Sequence, residues 1–355
     1  MSNTVKVAVI GAGWWSTTTH IPALARNPRA EPIVIDTIID KARAAAEKYD
    51  IAHHYSSLTD ALNDHPEIKG AVIAVPHHAH FTAARECLEH GLHLLLEKPM
   101  VLYARDAKAL TDLAEAKGLE ILMGYTFPYL EPMQQAKEWA ALLGEIEYIT
   151  CSMSSMTVEF LRGKPQEYAA VMNYPVTGPT DATYSEPSVA GGGQAHLQVT
   201  HSAAMMFYFA PELRAERVTA FMNNLDCKVD VADAFAVRMT NGAVATVGST
   251  GNIGKGDGGI VEVHLHGSKG RLMADAISGR VHLRLHDGRE EHLPETFPGY
   301  PGNEPAHRFI ELLLDGAPNT FPGKTNGLYT VELLDAAYRS AAQDGMPVTI
   351  ASLYE

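Results

Sequence analysis

A short β-branched run, Val5–Ile10, ends directly in Gly11-Ala12-Gly13-Trp14-Trp15-Ser16. Few folds need glycines at that spot. Gly11 permits a tight turn, and Gly13 lets the backbone approach a bulky anion. The helix that follows offers free N–H groups and a favourable dipole to that anion. The third small position of such a turn is usually Gly or Ala. Ser16 stands there, and it is still small enough for close helix–strand packing. A bare Gly-x-Gly is weak, but an acidic residue at the end of the second strand strengthens it. Asp36 closes the apolar run 32–36 in that place. Its carboxylate suits ribose hydroxyls and repels a 2′-phosphate, and Thr37 follows where a phosphate reader places Arg. The pair favours NAD over NADP.

The first third of the chain continues this alternation. Apolar runs at 71–75, 92–96 and Ile121–Met123 are separated by helical faces. Ala42, Ala45 and Ala46 mark one face, Phe81, Ala84 and Leu88 a second, and Ala107, Leu110 and Ala114 a third. Continuous apolar strands between amphipathic helices predict a parallel sheet covered on both sides. After about residue 124 the period becomes two. Phe235, Val237 and Met239 alternate with polar or small residues before Asn241-Gly242, a strong hairpin signal. Val261, Val263 and Leu265, then Val281, Leu283 and Leu285, repeat the alternation. The expectation is an α/β Rossmann domain over residues 1–124, then an α+β domain over 125–355 with a large, mostly antiparallel open sheet. A last helix through Val331, Leu334 and Tyr338 is expected to pack on that sheet or back on the first domain. Residues 163–193, rich in Pro, Gly, Tyr and Ser, read as a long functional loop.

Composition narrows the partners. With 355 residues and a net charge of −14, the surface repels nucleic acid and anionic lipid. Three scattered cysteines, with no long apolar run, fit reduced thiols in a cytoplasmic protein rather than a secreted or membrane one.

Several motifs appear in one order. They are the glycine turn with His20-Ile21-Pro22-Ala23-Leu24, then Ala74-Val75-Pro76-His77-His78-Ala79-His80, then Glu97-Lys98-Pro99. Gly191-Gly192-Gly193 with Thr200-His201 follows, then Asn241-Gly242 and Gly267-Ser268-Lys269-Gly270. In this the chain resembles the glucose–fructose oxidoreductase / inositol dehydrogenase / MocA family over nearly its whole length. The resemblance implies hydride transfer between a nicotinamide and a secondary carbinol of a sugar or polyol. It also implies homo-dimers or homo-tetramers formed through the open sheet. It places Trp14, Trp15, Val75, Pro76, His77, His80, Glu97 and Lys98 beside the cofactor, with Lys98 also touching substrate.

Lys98 and His201 are the candidate catalytic pair. An ammonium stabilises charge developing on the reacting oxygen, and an imidazole titrates near neutrality. The family pattern before the histidine carries an Asp and a Gly at alternating positions, but here those are Leu197 and Val199. His196, Asp181 and Tyr184 are the candidates to replace the missing carboxylate. Tyr125, Tyr184 and His196 join the expected substrate-binding set, and Tyr168 and Tyr174 are further ring-stacking candidates. The cluster His77, His78, His80 comes from one loop, which rarely supplies all ligands of a metal, so no metal is assigned. Two other readings stay open. One is an NAD-dependent glycoside hydrolase that oxidises its sugar transiently with no net redox. The other is a non-catalytic NAD(H)-binding sensor.

Overall fold

The computed structural model describes residues 4–316 and 319–355. Its first sheet comprises β1 (Val5–Ile10), β2 (Ala30–Ile35), β3 (His54–Tyr55), β4 (Gly70–Ile73), β5 (His93–Leu96) and β6 (Ile121–Met123). Among the described residues the order is β3-β2-β1-β4-β5-β6, and every pairing is parallel. The chain runs outward from β1 in one direction and from β4 in the other. A crevice therefore opens above the carboxyl ends of β1 and β4. Gly11 follows β1 at that point with φ of 98°, and a Cβ there would lie 2.4 Å from the Ala74 carbonyl oxygen. Only glycine lets the two strand ends meet.

The unbroken apolar strands are explained by cover on both faces. Val7, Val9, Val34 and Val72 pack with helices Ile21–Arg26 and Ile39–Lys48 on one side. Ala8, Ile35, Ile73 and Leu94 pack with helices His80–Glu89 and Ala104–Lys117 on the other. The first side is completed from far along the chain. Helix Glu304–Asp315 lays Phe309 and Ile310 against the same cluster. Gly70 makes room for it, since a Cβ there would lie 2.7 Å from Phe309 Cζ.

The second sheet contains β7 (Ile146–Ser154), β8 (Ala215–Asn223), β9 (Ala232–Met239), β10 (Val244–Thr250), β11 (Ile260–Gly267), β12 (Gly270–Asp275), β13 (Val281–Leu285), β14 (Glu290–Leu293) and β15 (Val348–Thr349). Its order is β14-β13-β12-β11-β7-β10-β9-β8-β15, antiparallel except where β7 meets β10. Alternation along β9 and β11 turns Phe235, Val237, Val263 and Leu265 inward, onto helices Glu131–Ala140 and Thr200–Phe209. The opposite face is open, and Phe221, Tyr148 and Val244 stand exposed on it. Helix Thr200–Phe209 is buried on every side, as the apolar run after its first turn requires. The last long helix, Lys324–Ala341, does both things expected of it. It lies on β8 and also docks on helix Ala104–Lys117, where Asp335 Oδ2 accepts the Ala104 N–H at 2.9 Å.

Residues 163–193 differ from the expected loop. They fold into short helical turns, Pro165–Tyr168, Ala169–Met172, Ala182–Ser185 and Pro187–Ala190. Pro165 and Pro187 preset the backbone for a first helical turn, and the turns satisfy N–H groups that a buried loop would strand.

Removing the Phe309 ring leaves a cavity against the first sheet. Phe309→Ala should cost about 3–5 kcal/mol in chemical denaturation, with the strand order unchanged.

Candidate active site

One cavity of about 930 Å³ runs from the end of β2, over the glycine turn, to the start of helix Thr200–Phe209. Its first end is built from backbone. A Cβ at Gly13 would meet nothing within 4 Å, so the main chain there faces open space where a pyrophosphate can approach. Asp36 lines this end. Its Oδ2 accepts the Ala12 N–H at 2.9 Å and its Oδ1 accepts the Ile38 N–H at 2.9 Å. The carboxylate is thus aimed at the rim beside Thr37, where ribose hydroxyls can reach it. Ser16 is fully buried, which the close helix–strand approach needs. These features fit a dinucleotide. Val75 and Pro76 line the middle of the cavity.

The other end is organised by Glu97, just past β5. Glu97 Oε1 accepts the Trp15 indole N–H at 2.8 Å and contacts His20 Nε2 at 2.7 Å. Oε2 accepts the Lys98 main-chain N–H at 3.1 Å. Burial pushes this carboxyl up, but the bond to His20 and the charges and donors around it outweigh burial, so it ends below its ordinary value. Gly124 leaves the space, since a Cβ there would lie 2.7 Å from Glu97 Oε1. Lys98, held by this arrangement and by the following Pro99, projects its Nζ to the Leu197 carbonyl oxygen at 2.9 Å. Burial lowers the Lys98 ammonium, and Glu97 offsets part of that.

Leu197 belongs to a wide helical turn, Ala195–Val199, with the spacing of a π-helix. Residues 197 and 201 lie one turn apart, so His201 faces the same cavity. Its ring sits edge-on to Phe127 at 5.5 Å and Tyr125 at 6.0 Å, and its Nδ1 is buried without a hydrogen-bond partner. Burial, then the Lys98 charge, holds its pKa well below 6.5, so the imidazole is neutral and able to take a proton. The apolar side chain at 197 packs with Val158, Val229 and Val231. Its carbonyl, not a carboxylate, faces Lys98.

The start of this helix is fixed by Asp230, which sequence reasoning missed. Asp230 Oδ1 accepts from the Gly193 N–H at 2.7 Å and the Tyr338 hydroxyl at 2.8 Å, and Oδ2 accepts from the Ala195 N–H at 2.7 Å. A Cβ at Gly193 would lie 2.0 Å from the Asp230 carbonyl oxygen, so Gly193 admits the two segments.

The structure gathers Gly11, Gly13, Trp14, Trp15, Asp36, Thr37, Val75, Pro76, His77, His80, Glu97, Lys98, Tyr184 and His201 around this cavity. Two expected substrate residues lie outside it. Tyr125 is buried behind His201, its hydroxyl 3.0 Å from Thr200 Oγ1. His196 is turned away by the helical phase and packs on Tyr338 at 4.4 Å, where burial outweighs Asp230 and Asp335 and lowers it to about 4. Of the other stacking candidates, Tyr168 is buried and Tyr174 backs Trp14 at 5.6 Å. Asp181 is exposed and away from the lining, which leaves Tyr184 of the three possible stand-ins for the aspartate. The histidine cluster is spent on main chain. His77 Nδ1 meets Ala190 O at 3.0 Å, and His80 touches both Pro99 O at 2.7 Å and Val75 O at 3.0 Å. Among the described residues no three His, Cys, Asp or Glu side chains converge to hold a metal ion. Phe127, Phe160, Thr157, Gln198 and Tyr300 also line the cavity. Nothing in their local pattern marks them beyond the aromatic character of three.

Comparison with known proteins adds the lineage. Residues 5–125 match the model of an oxidoreductase family with an NAD-binding Rossmann fold. An uncharacterized oxidoreductase of Synechocystis is 31% identical over 151 residues, which is 42% of this chain and 40% of that protein's length. Levoglucosan dehydrogenase of Pseudarthrobacter phenanthrenivorans is 21% identical over 96% of this chain and 97% of its own. The structure of GenD2 from gentamicin A biosynthesis, in complex with NAD, superposes with a TM-score of 0.77 at 22% identity, covering 98% of this chain and 96% of its own. With its parallel sheet, its glycine turn and its Glu97-Lys98-Pro99 corner, the first domain matches the NAD-binding Rossmann fold of the glucose–fructose oxidoreductase / inositol dehydrogenase / MocA oxidoreductase family.

Proposed function

We propose that this protein is an NAD-dependent oxidoreductase acting on a secondary carbinol of a sugar, polyol or sugar derivative. The carrying observation is the pairing of Lys98 and His201 at one end of a cavity whose other end offers Gly13 and Asp36. Full-length likeness to levoglucosan dehydrogenase and to scyllo-inositol 2-dehydrogenase of Bacillus subtilis supports a cyclic carbohydrate substrate. Bound NAD would supply the hydride acceptor, held at Gly11, Gly13 and Asp36.

The chain's own residues do the rest. Lys98 donates a hydrogen bond to the reacting oxygen and stabilises the negative charge that grows there as the hydroxyl proton leaves. His201, neutral and with no carboxylate beside it, takes that proton in oxidation and returns it in reduction. Lys98 loses nothing by this, because its bond to the Leu197 carbonyl only positions it. The aromatic walls keep water from the reacting carbon. Asp36 keeps NADP out by charge. The exposed apolar residues on the open face of the second sheet support a homo-dimer or homo-tetramer, and the buried thiols Cys87 and Cys151 support a cytoplasmic site. Among the described residues no helix is long and apolar enough to cross a membrane.

Lys98→Met should keep NAD affinity within a few-fold and lower kcat by about 10²–10³, read by calorimetry and NADH absorbance; normal turnover overturns the assignment. The pH profile of oxidation carries two limbs. Activity needs His201 unprotonated, so the acid limb falls below pH 6.5 because burial lowers that group. It needs Lys98 protonated, so the alkaline limb falls below pH 10.5. His201→Ala should lose about 10²–10⁴ in kcat/KM and abolish the acid limb. Asp36→Asn removes the charge and keeps one of the two acceptor contacts, and should narrow the NAD-over-NADP preference by about tenfold. Release of an aglycone from glycosides without accumulation of NADH would move the reading to redox-neutral hydrolysis.

A further inference from the structure

The substrate end of the cavity is walled by rings in contact with one another, edge-on along a first arc and tilted along a second. One arc starts at His201 and passes through Phe127 at 5.5 Å, Tyr300 at 5.7 Å and Trp15 at 5.9 Å. Trp15 meets Trp14 at 5.7 Å. A second arc continues from Trp14 to Phe160 at 5.5 Å, then Tyr184 at 5.4 Å, then His77 at 6.0 Å. All eight rings line the cavity. The second arc is fixed in advance: Trp14 donates its indole N–H to the Asn173 carbonyl at 3.1 Å and rests on Tyr174. Such pre-set rings bind flat apolar surface without an ordering cost.

Charge at this end is already committed. No arginine lines the cavity among the described residues. Its lysines are Lys41, beyond Asp36 at the far end, and Lys98, which faces the reacting oxygen. Glu97 is engaged by His20 and Trp15. A carboxylate or phosphate on the substrate, away from the reacting carbon, would be desolvated against rings with no counter-charge, which is costly. A single pyranose presents one apolar face and needs one aromatic platform. Two adjoining arcs offer two.

We propose that the site takes an uncharged cyclic sugar or cyclitol bearing a flat apolar substituent, as in an aryl glycoside, rather than a sugar acid or sugar phosphate. The carbohydrate ring lies on the Phe127–Tyr300–Trp15 arc under Lys98 and His201. The substituent lies on the Trp14–Phe160–Tyr184 arc. This rests on the reading of the cavity as a carbohydrate dehydrogenase site.

The test is calorimetric titration of the NAD-loaded protein, which needs no turnover. The titrants are phenyl pyranosides, methyl pyranosides, uronates and 6-phosphates of the common hexoses. Phenyl members should bind at least about tenfold tighter than their methyl counterparts, with uronates and phosphates weakest. Phe160→Ala should bring the phenyl-to-methyl ratio close to one. Phe160→Leu, which keeps apolar volume but no ring, should give the same direction if the alanine variant folds poorly. NAD affinity serves as the folding control. Equal or tighter binding of uronates or phosphates, equal binding of phenyl and methyl members, no binding by any neutral member, or a ratio that survives both Phe160 variants would each overturn the proposal. Failure of the underlying reading looks different: NAD itself does not bind, or Lys98→Met turns over normally.

Discussion

A buried carboxylate holds the site together. Glu97 lies at the end of β5, one strand from the β1–β4 crevice, and it ties that end to the segment that follows the glycine turn. Taking that charge out of water is expensive, and the expense is met by three hydrogen bonds from His20, Trp15 and the next main-chain N–H. The geometry of Lys98 follows from it. So does the attitude of Trp15, and through Trp15 the whole run of rings at the substrate end. Neither His20 nor Gly124 touches a substrate in this picture. Each exists so that Glu97 can sit where it does.

The same logic appears in the second domain. Helix Thr200–Phe209 carries His201, but its lead-in lacks any local cap. Asp230 supplies one from a loop thirty-odd positions later, accepting from Gly193 and Ala195. A buried carboxylate at a helix start meets both unsatisfied N–H groups and the helix dipole. The wide turn it anchors leaves the Leu197 carbonyl available to Lys98. The two carboxylates, Glu97 and Asp230, therefore fix opposite ends of the Lys98–Leu197 hydrogen bond across the cleft.

The parallel first sheet and the glycine turn were legible because period and punctuation are local properties. Unbroken apolar strands, amphipathic helices and Asp36 all announce themselves within a few residues. The Asn241-Gly242 hairpin was legible for the same reason. Lys98 and His201 stood out because their motifs bracket them. Tyr125 and His196 were misplaced because a side chain's direction depends on helical phase and on the neighbouring element, which residue type does not encode. Asp230, Phe160 and Tyr300 were invisible because their partners lie tens to hundreds of positions away. Helix Glu304–Asp315 did leave a signal: Ala306, Phe309, Ile310 and Leu313 recur at helical spacing. Nothing in that pattern says which sheet the helix covers.

That helix has a consequence for how the molecule is made. The strands of the first sheet are all synthesised by Met123, yet one of their faces waits for Phe309 and Ile310. During vectorial synthesis, at about 5–20 residues per second, the nascent first half holds an unsealed apolar surface while nearly two hundred further residues emerge. Chaperone engagement in that interval, and sensitivity to truncation near the C-terminus, are built into the topology. The two halves reach their finished state together, although each has a sheet of its own.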